Sequence, residues 1–196
     1  HDPRKIKYFL SVGEKLSSKR AELLSEIIKK KPQEALERAL PKDIVNAEFI
    51  PPQIKKNLEK WESGLANFDV FYRCKGGDHL NCEFSRYTNF PDGRTLRTFA
   101  YGRRENLHSQ NDLAVWGISI NGHFAVADKP FSEIGESIEF AGSPIKFSGP
   151  AEKNLFKEQA IQAEGLAQKF RSSVRYPIIA GSNGVTIFLE NRYQVI

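Results

Sequence analysis

The stretch LAVWGISINGHFAVAD, residues 113–128, decides how this chain is read. Two apolar runs flank Asn121-Gly122, a pair that accepts the positive φ angles of a two-residue type I′ turn. The spacing predicts a tight hairpin. In its register Trp116, Ile118 and Ile120 share a face with Ala125 and Ala127, while Ser119, Phe124 and Val126 take the other. Both faces carry apolar side chains, so the hairpin is expected in the middle of a sheet, covered on both sides.

Strand patterns extend upstream. FDVFYRC (68–74) puts Phe68, Val70, Tyr72 and Cys74 on one face, and LNCEFSRY (80–87) puts Leu80, Cys82 and Phe84 on one face. KGGDH (75–79) lies between them as a turn. The register lets Cys74 and Cys82 meet on one side of a hairpin, which predicts a disulfide stabilising the fold by roughly 2–3 kcal/mol. Free buried thiols, or metal ligands lacking partners, are the alternatives. Pro91-Asp92-Gly93 turns the chain into a strand through Thr95, Arg97, Phe99 and Tyr101.

Downstream, short strands are expected around Ile138, Phe140, Ile145 and Phe147. A long amphipathic helix over 151–170 follows, with Leu155, Phe156, Ala163, Leu166, Ala167 and Phe170 inward. A final strand is read over 184–196. The first third is helical. Residues 14–30 place Leu16, Arg20, Leu23, Leu24, Ile27 and Ile28 near one face. Pro32 opens a second helix over 32–40. Ile54, Leu58 and Trp61 suggest a third, closed by Ser63-Gly64. The fold class is α+β: a twisted antiparallel sheet with a packing helix, under a helical N-terminal segment. The layout is a helical segment over 1–64 and a sheet-and-helix part over 65–196, together one domain.

Composition sets the outer bounds. At 196 residues, one domain with a self-sufficient core is expected. Hydrophobic residues make up 40% of the chain and charged residues 27%. That balance excludes a disordered or fibrous chain. No apolar run is long enough to span a membrane. The net charge of +5 is concentrated in residues 1–31. A solvated helix face is a plainer reading of that charge than a nucleic-acid or membrane surface. Two closely spaced cysteines and no methionine point to a processed piece from an oxidising compartment, secreted or periplasmic.

Motifs that carry chemistry are missing. HExxH, GxSxG, GxxxxGK[ST] and GxGxxG are all absent. His1 could join a copper brace, since copper takes an N-terminal amine and imidazoles well. The helical start disfavours it. His79, His108 and His123 lack local metal-ligand spacing, and no pair among Asp69, Asp78, Glu83, Asp112 and Asp128 stands out. No catalytic residue, metal site or cofactor is therefore expected. Tyr101, Arg103 and Arg104 form the segment with most character, because two arginines after a strand can clamp an acidic or sugar ligand. Tyr72, Arg73, Arg86, Tyr87 and Arg97 interleave aromatic and basic groups on the strands, which suits single-stranded nucleic acid or, more simply, cation–π packing.

PQEALERALP (32–41) and YGRRENLHSQNDLAVWGISINGHFAVADKPF (101–131) resemble the N-terminal region of large secreted multidomain bacterial proteins. Some of these carry a reprolysin-like zinc metalloprotease domain downstream, others adhesion or carbohydrate-binding modules. The resemblance implies a non-catalytic accessory domain or propeptide. Its partner would be a downstream domain of the same polypeptide, which it helps to fold, inhibits or contacts. A free-standing module for carbohydrate or another surface ligand, using Tyr72, Tyr87, Trp116 and Tyr101, is the alternative. A small secreted enzyme with a histidine-based metal site is a third reading. Nucleic acid is disfavoured as a partner.

Overall fold

A computed structural model describes residues 3–74 and 82–172, with side chains for 3–71 and 83–164. The fold class is α+β. Five strands close a barrel: β1 (Lys60–Cys74), β2 (Cys82–Asn89), β3 (Thr95–Phe99), β4 (Gln110–Ile120) and β5 (His123–Val126). Their order around it is β1-β2-β3-β5-β4. All pairings are antiparallel except β3 with β5, which is parallel. This arrangement, a five-stranded Greek-key barrel, is that of an OB fold. The expected antiparallel sheet is present, with one parallel pair within it. A 3-10 turn, Gly102–Asn106, crosses from β3 to β4, so β5 can come back parallel beside β3.

The 113–128 hairpin forms as read. Asn121 and Gly122 have φ of 50° and 76°, and Ile118 pairs with Ala125 while Ser119 pairs with Phe124. Its inward side joins the barrel core of Phe68, Val70, Phe90, Leu96, Leu113, Val115, Phe124 and Val126. Its outward side, Ile118, Ile120 and Ala125, forms a second core under the helices. Gly117 is required where the two strands press together, because a Cβ there would lie 2.0 Å from the Ala125 carbonyl oxygen.

β1 begins at Lys60, eight residues before the expected start at Phe68. A bulge between Ala66 and Phe68 bends it, so its first half pairs with β4 and its second with β2. The early half escaped the pattern because its inward positions are Glu62 and Gly64. Glu62 is buried and closes one barrel mouth. It accepts two guanidinium bonds from Arg94, at 2.7 and 3.0 Å, and one from the Ser119 hydroxyl at 2.6 Å. The third expected helix is accordingly short, α4 (Pro52–Lys55), and Trp61 belongs to β1.

α1 (Pro3–Lys30) packs on β5 and β4, followed by α2 (Pro32–Glu37) and α3 (Lys42–Asn46). The buried side of α1 is Ser17, Ala21, Leu24, Ser25 and Ile28. Leu16 and Leu23, read as inward, are 62% and 57% exposed. Small side chains let the helix approach the barrel closely, so its buried face is rotated from the one marked by the largest residues. β6 (Phe131–Ile134), β7 (Ser137–Phe140) and β8 (Ser143–Ile145) form a separate three-stranded sheet. α5 (Pro150–Ser172) meets it through Phe156, whose ring lies 5.4 Å from Phe140 and 5.5 Å from Phe147. Leu155, read as inward, is exposed. The expected strand over 184–196 lies outside the described residues.

Candidate functional site

Barrel register builds a row of side chains across the outer surface. Asp69 on β1 is opposite Tyr87 on β2, Tyr87 is opposite Arg97 on β3, and Arg97 is opposite His123 on β5. Odd-numbered residues of β1, β2 and β3 point outward here, because their neighbours Phe68, Val70, Thr88, Leu96 and Thr98 fill the interior. At ~4.8 Å per strand the row spans about 14 Å.

The row is part aromatic and part polar. Phe71 sets its ring edge-on to Tyr87, with centroids 5.5 Å apart and planes at 85°. The Arg97 guanidinium is exposed and lies 5.6 Å over the Phe99 ring. On the other side of Tyr87, Asn89 donates to Asp69 at 2.7 Å and Thr95 donates to Asn89 at 2.7 Å. The result is an aromatic platform between a fixed carboxylate and a cation. Such a surface stacks on a ring and supplies both acceptors and donors at its rim.

His123 ends the row beneath α1. Its Nδ1 lies 3.0 Å from the Ser25 hydroxyl, and burial, with Lys29 and Arg97 nearby, pushes its imidazolium below the usual histidine range. It anchors a helix and is not offered to solvent as a metal ligand. Among the described residues no cluster of three His, Cys, Asp or Glu side chains could hold a metal ion. His108 lines a cleft of about 470 Å³ with Val70, Phe84, Arg86 and Leu107 at the second barrel mouth. His1 and His79 lie outside the described residues.

In the Tyr101–Arg104 segment the two arginines part: Arg103 is exposed and Arg104 is buried. Arg104 is fully enclosed. Its Nε and one terminal nitrogen donate to the Glu164 carboxylate of α5 at 3.0 and 3.2 Å, and the terminal nitrogen also donates to the Ala114 carbonyl at 2.7 Å. Burial pulls its pKa down, and the Glu164 charge opposes that. Arg103 donates its backbone N–H to the Asp128 carboxylate at 2.7 Å, and its guanidinium reaches the Asp128 carbonyl. Tyr101 lines a cleft of about 440 Å³ with Trp116, Asp128, Lys129, Phe131 and Glu133, and burial raises its hydroxyl pKa. Trp116 itself is stacked on Trp61, with centroids 4.9 Å apart. These residues tie the 3-10 turn, β4 and α5 together.

Of the residues that the sequence singles out, Tyr87 and Arg97 therefore share an open surface. Tyr101, Arg103 and Arg104 lie in a different network, of which only Arg104 is buried. The side chains of Tyr72, Cys74 and Cys82 lie outside those described. Asp69 and Phe71 were missed as partners of Tyr87. Alternation on FDVFYRC drew attention to the inward set, and only strand register brings the outward set beside Tyr87. Comparison with known proteins adds no family: no family model, no curated protein and no solved structure matches the chain.

Proposed function

We propose that the chain is a non-catalytic binding module, the accessory part of a larger exported polypeptide, and that the outer face of β1, β2 and β3 takes an oligosaccharide. One observation carries this reading: the register sets Tyr87 between Asp69 and Arg97 on an open barrel surface. OB barrels take oligonucleotides and oligosaccharides on the corresponding strands. That analogy supplies the class of ligand, and the residues choose within it. A nucleic-acid groove tracks phosphates with several cations. Here a single guanidinium shares the row with a carboxylate, which repels phosphate and suits sugar hydroxyls.

The exported setting is part of the same proposal, together with a Cys74–Cys82 disulfide. Its support is backbone register: Cys74 is directly opposite Cys82. Opposite residues of an antiparallel pair have Cα atoms ~4.5–5.5 Å apart, within disulfide range. Intact mass before and after reduction and alkylation reads the bond directly.

A glycan array followed by calorimetry on the best hit tests the binding. Tyr87→Ala is expected to weaken it by at least ~10-fold, with Arg103→Gln as an off-site control. Binding that survives Tyr87→Ala, or no glycan bound at micromolar protein, would reject the site.

A further inference from the structure

Among the described residues, α1 extends past the part of it that is buried on the barrel. Its buried residues begin at Ser17. A Cβ on Gly13 would come within 2.6 Å of the Ile54 side chain of α4, so contact with that helix is close there. Residues 3–12, PRKIKYFLSV, lie beyond that contact, with Tyr8 at 65%, Phe9 at 68% and Ile6 at 48% exposure.

The exposed apolar side chains are ordered. Phe9, Val12, Leu16 and Leu23 follow i, i+3, i+7 and i+14, a stripe on a different side of the helix from the barrel-facing one. Tyr8 and Phe9 meet edge-on at 5.7 Å. Basic residues accompany the stripe: Lys5 lies on it and Lys15 beside it, and the first acid of the helix, Glu14, is paired with Lys56. A second copy of this chain fits poorly. Lys5 and Lys19 fall on the stripe itself, so pairing two copies along it would bring like charges together. On a lipid surface the same lysines can extend to the headgroups while their stems stay in the apolar layer.

We infer that residues 3–16 of α1 form an interfacial helix that docks on an anionic lipid surface. Phe9, Val12 and Leu16 enter the acyl boundary, Tyr8 sits at headgroup level, and the basic residues meet lipid phosphates. This surface is separate from the Tyr87 face, so either can fail without the other.

Vesicle co-sedimentation of the full chain at ~0.15 M salt tests it, comparing phosphatidylglycerol-containing vesicles with pure phosphatidylcholine. Binding is expected for the anionic vesicles only. Lys5→Gln with Lys15→Gln should weaken it about 30-fold. Phe9→Ser with Leu16→Ser should weaken it at least ~10-fold. Circular dichroism verifies that these surface variants keep the fold. Equal binding to both vesicles, no binding, or indifference to both variant pairs overturns the inference. So does a dimer in solution that Phe9→Ser dissolves, which would assign the stripe to a second copy.

Discussion

Arg104 shows how much depends on a single partner. Its charge is wholly buried, and its counter-charge arrives from a helix 60 residues further along the chain. Breaking a buried pair strands a charge, which typically costs ~3–5 kcal/mol, whereas replacing both members with apolar groups is often neutral. Glu164→Ala should therefore lower the unfolding free energy by about 3 kcal/mol in urea titration. Arg104→Met in the same chain should recover most of that loss. If the double variant is as unstable as the single, the pair does more than neutralise charge. The sequence showed Arg103-Arg104 as a basic doublet after a strand, and a doublet looks the same whether it faces solvent or a distant glutamate. A second residue-scale test concerns Gly117. No side chain fits against the Ala125 carbonyl, so Gly117→Ala must part β4 from β5. Overpacking of this kind is expected to cost about 2 kcal/mol, again read by urea titration.

Elements defined by local pattern were legible, and those defined by distant contact were not. The Asn121-Gly122 hairpin, the stop of α1 before Pro32, the start of α2 at that proline and the α5 helix all follow from neighbours in sequence, while α2 ends at Glu37, short of the expected 40. The parallel β3–β5 pair does not, because it joins strands separated by a turn and all of β4. Nor does the rotation of α1, whose barrel side joins Ser17, Ala21 and Ser25 to Leu24 and Ile28 and leaves Leu16 and Leu23 outside. That side carries its own pH dependence. His123 faces Ser25, Lys29 and Glu26 of α1 and Arg97 of β3. Burial first, then the two cations, hold its folded pKa below the usual ~6.5. The unfolded chain then binds this proton more readily, so stability is full above pH ~6.5 and declines as pH falls through that value. Denaturant midpoints between pH 8 and 5 should show the decline, and His123→Gln should flatten it. The carboxylates held low by lysine or arginine partners, Glu26, Glu34, Asp92 and Glu133, act at more acid pH and leave this window to the histidine.

Taken as a whole, the described molecule has two cores that share a wall. Val115, Phe124 and Val126 line the inside of β4 and β5, and Ile118, Ile120 and Ala125 line their outside against Leu24 and Ile28. Two faces of the same strands cannot melt independently, since losing the helices exposes the outer wall and losing the barrel removes the surface they pack on. One cooperative transition is expected despite the helical and β halves apparent in the sequence. Ile28→Ala, made on the helix, should cost ~2–5 kcal/mol. For a chain of this size each kcal/mol moves Tm by ~2–4 °C, so a fall of about 10 °C is expected. The tryptophans report on the barrel side, because Trp61 and Trp116 sit on β1 and β4. Their near-ultraviolet signal should therefore fall at the same lowered temperature as the helical signal in the far ultraviolet. If Ile28→Ala lowers the helical transition and leaves the tryptophan transition in place, α1 is an appendage and the shared wall does not couple the two cores.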